Sequence, residues 1–86
     1  MSTPRRLLWR QAPEWTMSAL TAELQDEVLD ALRPLLIGPI PPEAAIPDPD
    51  APGIYHVFTR HLLLVAGVYG DVVDVLILRH RPDKAT

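Results

Sequence analysis

The sequence predicts an α+β domain: a helical hairpin or a single kinked helix packed on a small, mostly antiparallel sheet that ends in a C-terminal β-meander. Three observations carry this reading. Apolar residues at Leu20, Leu24, Val28, Ala31, Leu32, Leu35 and Leu36 fall on one stripe of a 3.6-residue helix. A proline-rich stretch, residues 38–53, separates that stripe from the C-terminal third of the chain. From Ile54 to Arg81 the chain holds most of its β-branched residues, in runs of strand length broken at turn-forming positions.

Taken in order, residues 1–6 are polar, contain Pro4 and are expected to fray. Leu7-Leu8-Trp9-Arg10 is long enough only for a short strand. Pro13 suits the first turn of a helix and Glu14 its positive end, giving a short helical turn from Trp15 to Leu20. The clearest helix is expected from about Thr21 to Leu36, with Thr21 as N-cap and Glu23, Asp26, Glu27 and Asp30 on the side away from the stripe. Pro34 removes an intrahelical hydrogen bond and disfavours helical geometry at Arg33. A kink is therefore expected there, or an end near Arg33 followed by a loose turn over Leu35 to Ile37. Gly38-Pro39 stops the helix.

Pro39, Pro41, Pro42, Pro47, Pro49 and Pro52 make residues 38–53 a stiff, extended connector that cannot enter a sheet interior. The alternative, a docking segment for a partner, lacks the PxxP repeat with a flanking basic residue that such ligands carry. Asp50-Ala51-Pro52-Gly53 reads as a turn into the first meander strand, Ile54–Thr59. Arg60-His61 is a tight turn without glycine. Leu62–Tyr69 is the second strand, with Gly67 as a candidate bulge, Tyr69-Gly70-Asp71 the hairpin turn, and Val72–His80 the third strand. The second and third strands are apolar on both faces, so they should be central. Their second face should be covered by the proline segment, a subunit or a partner protein.

Eighty-six residues without cysteine bound the chain to one domain, residues 1–86, with neither disulfide nor thiolate–metal staple. Such a domain buries a modest share of its surface. Its mean hydropathy of +0.08 is high for that size and suggests apolar surface covered by another copy or a partner. The net charge of −3 hides segregation. Residues 1–13 carry Arg5, Arg6 and Arg10 and no acid, whereas residues 14–50 carry eight acids against Arg33 alone. The plain reading is a solvated acidic helix and loop. The sharper one is an acidic face opposite a basic one that meets an anionic partner. An acidic total argues against strong non-specific nucleic-acid binding. No stretch reaches the roughly 18 apolar residues of a membrane helix, and Leu7-Leu8-Trp9 is too short for a signal peptide core. The expectation is a cytoplasmic protein with no membrane partner.

No phosphate-binding glycine loop, nucleophile elbow or helical His-x-x-x-His pair occurs. A zinc site would need His61, His80 and Asp74 brought together, and neither a metal nor a cofactor is expected. The stronger constellation is cationic. Strand alternation puts Arg79 and Arg81 on one face and His80 and Asp74 on the other. Arg60 and His61 sit beside them if the strands pair antiparallel in register. Arginines with a titratable histidine can bind a phosphodiester and stabilise charge on phosphorus while the imidazole moves protons. That makes His80, Arg81 and His61 the candidate catalytic residues, and Arg60, Arg79 and Arg10 the candidate substrate-binding residues. The plainer reading is that Arg79 to Arg81 ends a buried strand in solvent, paired to Asp71, Asp74 or Asp83. Tyr55 and Tyr69 read as half-buried strand residues, and Trp9 and Trp15 as core or interface anchors.

The element order, a short strand, a helical region closed by a proline-marked loop, then a meander ending in His80-Arg81, resembles the RelE/ParE toxin superfamily across about residues 7–82. Leu20 to Leu32 followed by Pro39 is similar to that family's second helix. Pro52-Gly53-Ile54-Tyr55-His56-Val57 is similar to its entry into the central strand, and Val73 to Arg81 to its closing strand. The resemblance implies a small bacterial toxin of a type II toxin–antitoxin pair, bound by a cognate antitoxin. In RelE-like members it implies metal-independent cleavage of ribosome-bound mRNA; in ParE-like members, poisoning of gyrase. The alternative is a non-enzymatic interaction protein that uses its apolar sheet face as a dimer or partner interface.

Overall fold

The computed structural model describes residues 3–81. The start of the stretch expected to fray and the candidate pairing partner Asp83 lie outside the described residues. Two helices pack on a five-stranded mixed sheet, so the α+β expectation holds in its helical-hairpin form rather than as one kinked helix.

The first strand, β1 (Arg6–Trp9), turns Leu7 and Trp9 toward the helices and Arg6 and Leu8 away. Helix α1 (Gln11–Ala19) begins at once, longer than the single turn expected, with Pro13 buried near its start. Its N-cap residue, Arg10, makes no side-chain cap, since a guanidinium offers no acceptor to the first helical amides; it donates to Asp74 instead. Helix α2 (Ala22–Leu36) begins at Thr21, whose hydroxyl accepts from the Leu24 amide at 3.3 Å, as the N-cap rule requires.

Helix α2 runs through Pro34 to Leu36, the limit the apolar stripe predicts, so the alternative end near Arg33 does not occur. Leu32 and Leu35 flank the proline and are fully buried, so core packing holds the segment helical across the missing Asp30–Pro34 bond. The last carbonyls are then satisfied from a distance. The Arg5 guanidinium donates to Leu35 O and Gly38 O, each at 2.9 Å, and the Arg5 amide donates to Leu36 O at 2.6 Å. Arg5 is thereby fixed, against the expectation that it frays.

The proline segment contributes a two-residue edge strand, β2 (Ile46–Pro47), where a residue without an amide proton is tolerated. The meander is β3 (Ile54–Phe58), β4 (Leu62–Tyr69) and β5 (Val72–His80). The sheet order is β1-β5-β4-β3-β2, with β1 parallel to β5 and every other pair antiparallel. β4 and β5 are interior strands, as their two-sided apolar character requires.

The register slips between Val65–Ile77 and Ala66–Val75, which leaves Leu76 as the extra residue of a bulge on β5. Gly67, expected in this role, is regularly paired to Asp74. The bulge inverts the alternation along β5. Val73 and Val75 face the helices before it and Leu78 after it. Asp74 and Arg79 therefore share the face opposite the helices, while His80 pairs with the buried Leu62 and takes the helix side. The expected grouping of Asp74 with His80 does not occur.

One side of the sheet is the core. Val28, Leu32 and Leu35 from α2 meet Val57, Leu62, Leu64, Ala66, Val73, Val75 and Leu78. At about 1.5–3 kcal/mol for each large aliphatic side chain withdrawn from water, this cluster is the main stabilising term. Ala45 joins it and Ile40 packs against it, so the proline segment covers the helix side rather than the second face. The second face carries Leu8, Ile46 and Phe58, which are exposed, Ile54, Leu63 and Ile77, which are half-buried, and Val65, which is buried.

Candidate functional site: the cationic end of the sheet

Thr59, Arg60 and His61 connect β3 to β4. Tight hairpin connections usually recruit glycine, and this one has none and no positive φ. The turn is held by side chains instead. The Thr59 amide donates to Leu62 O at 2.9 Å and the Leu62 amide donates back to Thr59 Oγ1 at 2.9 Å. Glu27 reaches down from α2. It accepts from the Thr59 hydroxyl, from the His61 amide at 3.0 Å and from His61 Nδ1 at 2.8 Å. These bonds, the Thr59 hydroxyl first and the His61 ring second, pull the Glu27 carboxyl from its ordinary 4.5 to about 2.

An ionised Glu27 fixes the protonation pattern of the imidazole. Nδ1 is the nitrogen that donates to Glu27, which leaves Nε2 turned away from it. The His61 side chain is 52 % exposed and its Glu27 partner 22 % exposed, so the ring is anchored from below and open above.

The end of β5 closes over this turn. Leu62 pairs with His80 and Leu63 with Arg79. The Arg81 amide donates to His61 O at 2.9 Å and its guanidinium donates to Thr59 O at 2.7 Å. The same guanidinium lies 5.6 Å from the centroid of the Phe58 ring, within cation–π range. Five of the six residues singled out in the sequence, Arg60, His61, Arg79, His80 and Arg81, therefore converge at one end of the sheet. Among the described residues the three arginines form no ion pair, so their charge is available to an anion.

The sixth, Arg10, lies elsewhere. Its guanidinium grips Asp74 through Nε at 3.0 Å and Nη2 at 2.9 Å, a forked pair that raises its pKa. Asp74 lies opposite Leu8 and Gly67, well back along β5 from the tip.

Sequence reasoning missed Glu27, which it assigns to the solvent-side acids of the helix. A signal was present. Glu27 lies seven residues after Leu20 and three after Leu24, which places it on the apolar stripe itself. Thr59 and Phe58 carried no such signal.

A second histidine–carboxylate pair sits at the β2 edge. His56 Nε2 lies 3.0 Å from Asp48 Oδ2. That contact first, and the Asp50 amide second, lower the Asp48 pKa. Among the described residues no three histidine or carboxylate side chains converge as metal ligands would. An open groove of about 440 Å³ runs between β1 and the helices, lined by Leu7, Trp9, Met17 and Leu29 among others, and shares no residue with the tip. No helix among the described residues is long and apolar enough to cross a membrane.

The tip is thus a positively charged surface with one oriented imidazole and three arginines drawn from two separate segments. No protein-family model matches the chain, and no curated protein matches it either.

Proposed function

We propose that the chain is a toxin-like protein of RelE/ParE type, paired with a cognate antitoxin, and that its cationic tip engages an RNA phosphodiester, in the RelE-like case that of ribosome-bound mRNA. One observation carries the reading: Arg60, His61, Arg79, His80 and Arg81 meet at one sheet end, with His61 oriented by Glu27. The order of elements, strand, two helices and meander, supports it, since that is the order on which the resemblance rests.

The roles come from the chemistry. Arg60, next to His61 on the turn, holds the phosphate, Arg79 adds charge from the face opposite the helices, and Arg81 adds charge while bracing the turn. His61 Nε2 takes the proton of the attacking ribose hydroxyl, with its imidazolium stabilised by Glu27. His80 supplies a proton to the leaving oxygen. Expression of the protein should arrest growth, and the product of an adjacent small reading frame should relieve the arrest. Translated mRNA should be cleaved by the wild type and left intact by an Arg81→Ala, His80→Ala double variant. Persistent cleavage in that variant would refute the site.

A specific observation favours a second reading, a non-enzymatic interaction protein, either ParE-like or a degenerate relative. The sheet face opposite the helices is apolar and uncovered, and Phe58 and Leu8 stand about half exposed on it. Growth arrest without RNA cleavage would select this reading over the first.

A further inference from the structure

We infer that Phe58 is a platform for an unpaired base, so that the RNA taken by the tip is single-stranded and turns round the end of the sheet. The inference rests on the RNA reading above and deepens it by naming the form of the substrate and a residue that selects it.

Phe58 is the last residue of β3. Val57 before it is buried in the core, so alternation turns Phe58 to the opposite face, where 53 % of it is exposed. β2 stops opposite His56, so among the described residues no strand flanks Phe58 on its outer side. A single exposed aromatic is ordinary on a protein surface. This one is set apart by its neighbours. Its row across the sheet is Phe58, Leu63 and Arg79, which places Arg79 two strand spacings, about 10 Å, away on the same face. The half-buried Leu63 continues the apolar floor between them. The Arg81 guanidinium lies 5.6 Å from the ring centroid. A ring with an apolar floor and two arginines beside it suits a nucleotide: the ring takes the face of the base and the guanidiniums take the phosphates. A wholly apolar partner would instead have to strip water from both guanidiniums without pairing them, which is costly.

The two faces of the sheet decide which form of RNA fits. The His61 imidazole is held by Glu27 of α2 and His80 takes the helix side, whereas Phe58 and Arg79 lie on the other side. A ligand that reaches both must pass round the sheet end. Arg81 stands at that passage, against the Phe58 ring and donating to Thr59 O in the turn. A single strand with a splayed base can follow this path. A duplex keeps its base faces inside its own stack and offers none to Phe58.

Binding of a short RNA with 2′-O-methyl riboses, which cannot attack their own phosphates, tests this. One uridine carries iodine at C5, so that illumination crosslinks it to an aromatic ring stacked on it. The wild type should bind the single strand more tightly than the same sequence as a duplex, and mass spectrometry should find the crosslink on Phe58. Phe58→Leu should weaken single-strand binding about tenfold and leave its salt dependence unchanged, since no phosphate contact is lost. Phe58→Trp should retain the affinity, and Trp15→Ala, at an exposed aromatic on α1, should change nothing. Circular dichroism shows that each variant is folded. Single-strand binding indifferent to Phe58→Leu, or a crosslink only at other residues, overturns the platform and leaves the RNA reading standing. Equal affinity for the duplex overturns the path round the sheet end. A wild type that binds no RNA overturns both readings together, and loss of the neighbouring frame's product from Phe58→Leu would then assign the ring to a protein partner.

Discussion

The ring of Tyr69 lies across Gly67. A Cβ added at Gly67 would stand 2.5 Å from Tyr69 Cε2 and 2.7 Å from its hydroxyl. The tyrosine thus folds back along its own strand and covers the backbone that the glycine leaves bare, a known remedy for glycine in a sheet. Gly67→Ala should displace the ring and cost about 1–3 kcal/mol, the usual penalty of overpacking. Thermal unfolding measures the loss. Tyr69→Ala should make Gly67→Ala nearly neutral, and an additive pair would show that the ring is not what the glycine accommodates.

Glu27 sets an acid limit. Its folded pKa, about 2, lies below its ordinary 4.5, so its stabilising contribution is complete above 4.5 and is lost as pH falls through about 2. After solvent screening the contribution is about 1–3 kcal/mol. Urea unfolding between these limits should show the wild type losing stability faster than Glu27→Gln. Parallel pH profiles would show that the carboxylate does not brace the turn.

Arg5 should matter more than a surface arginine near a chain terminus ordinarily does. Arg5→Met keeps the aliphatic stem and removes the guanidinium bonds to Leu35 O in the last turn of α2, to Gly38 O just beyond it and to Gly70 O. The expected loss is about 1–2 kcal/mol. Hydrogen exchange should localise it to the last turn of the helix. Unchanged protection there would mean that the cap is dispensable.

Pro34→Ala should stabilise. The alanine restores an amide that can donate to Asp30 O and removes the ring from the helix interior, for a gain of about 1–2 kcal/mol after the lost stiffening of the unfolded chain is set against it. A lower melting temperature would show that Pro34 packs in a way alanine cannot replace.

RNA binding by the tip should be electrostatic and local. Arg60→Ala with Arg79→Ala, at two exposed side chains, should weaken binding of a single-stranded RNA and flatten its salt dependence by about 1–2 units of log–log slope. Arg33→Ala, on α2 and paired with Asp30, should change neither. Equal effects from both would mean diffuse attraction rather than a site.

The meander was readable because Gly70 and the valine-rich runs mark their own limits, and β4 and β5 fall where the residues place them. Their interior position was readable too, since only a central strand tolerates apolar residues on both sides. The bulge was hidden for the same reason. Val75, Leu76, Ile77 and Leu78 are all apolar, so no polar residue records where the alternation inverts. The parallel contact of β1 with β5 is non-local, and four residues carry no sign of their partner. At the site, antiparallel pairing alone brings the Arg60-His61 turn to Arg79 and His80. The Glu27 contact instead depends on how α2 lies over the sheet, which no spacing within the helix fixes.

For the nascent chain, the parallel contact delays closure. Arg5 bonds to Gly70, 65 residues further on, and β1 finds its neighbour only in the last strand to be made. Until β5 leaves the ribosome, α2 has emerged with its leucine stripe and lacks Val73, Val75 and Leu78, the β5 part of the surface it packs on. Completion of this domain is then a late step taken all at once, and a stalled or truncated product missing β5 would present its greasiest helix to chaperones and proteases.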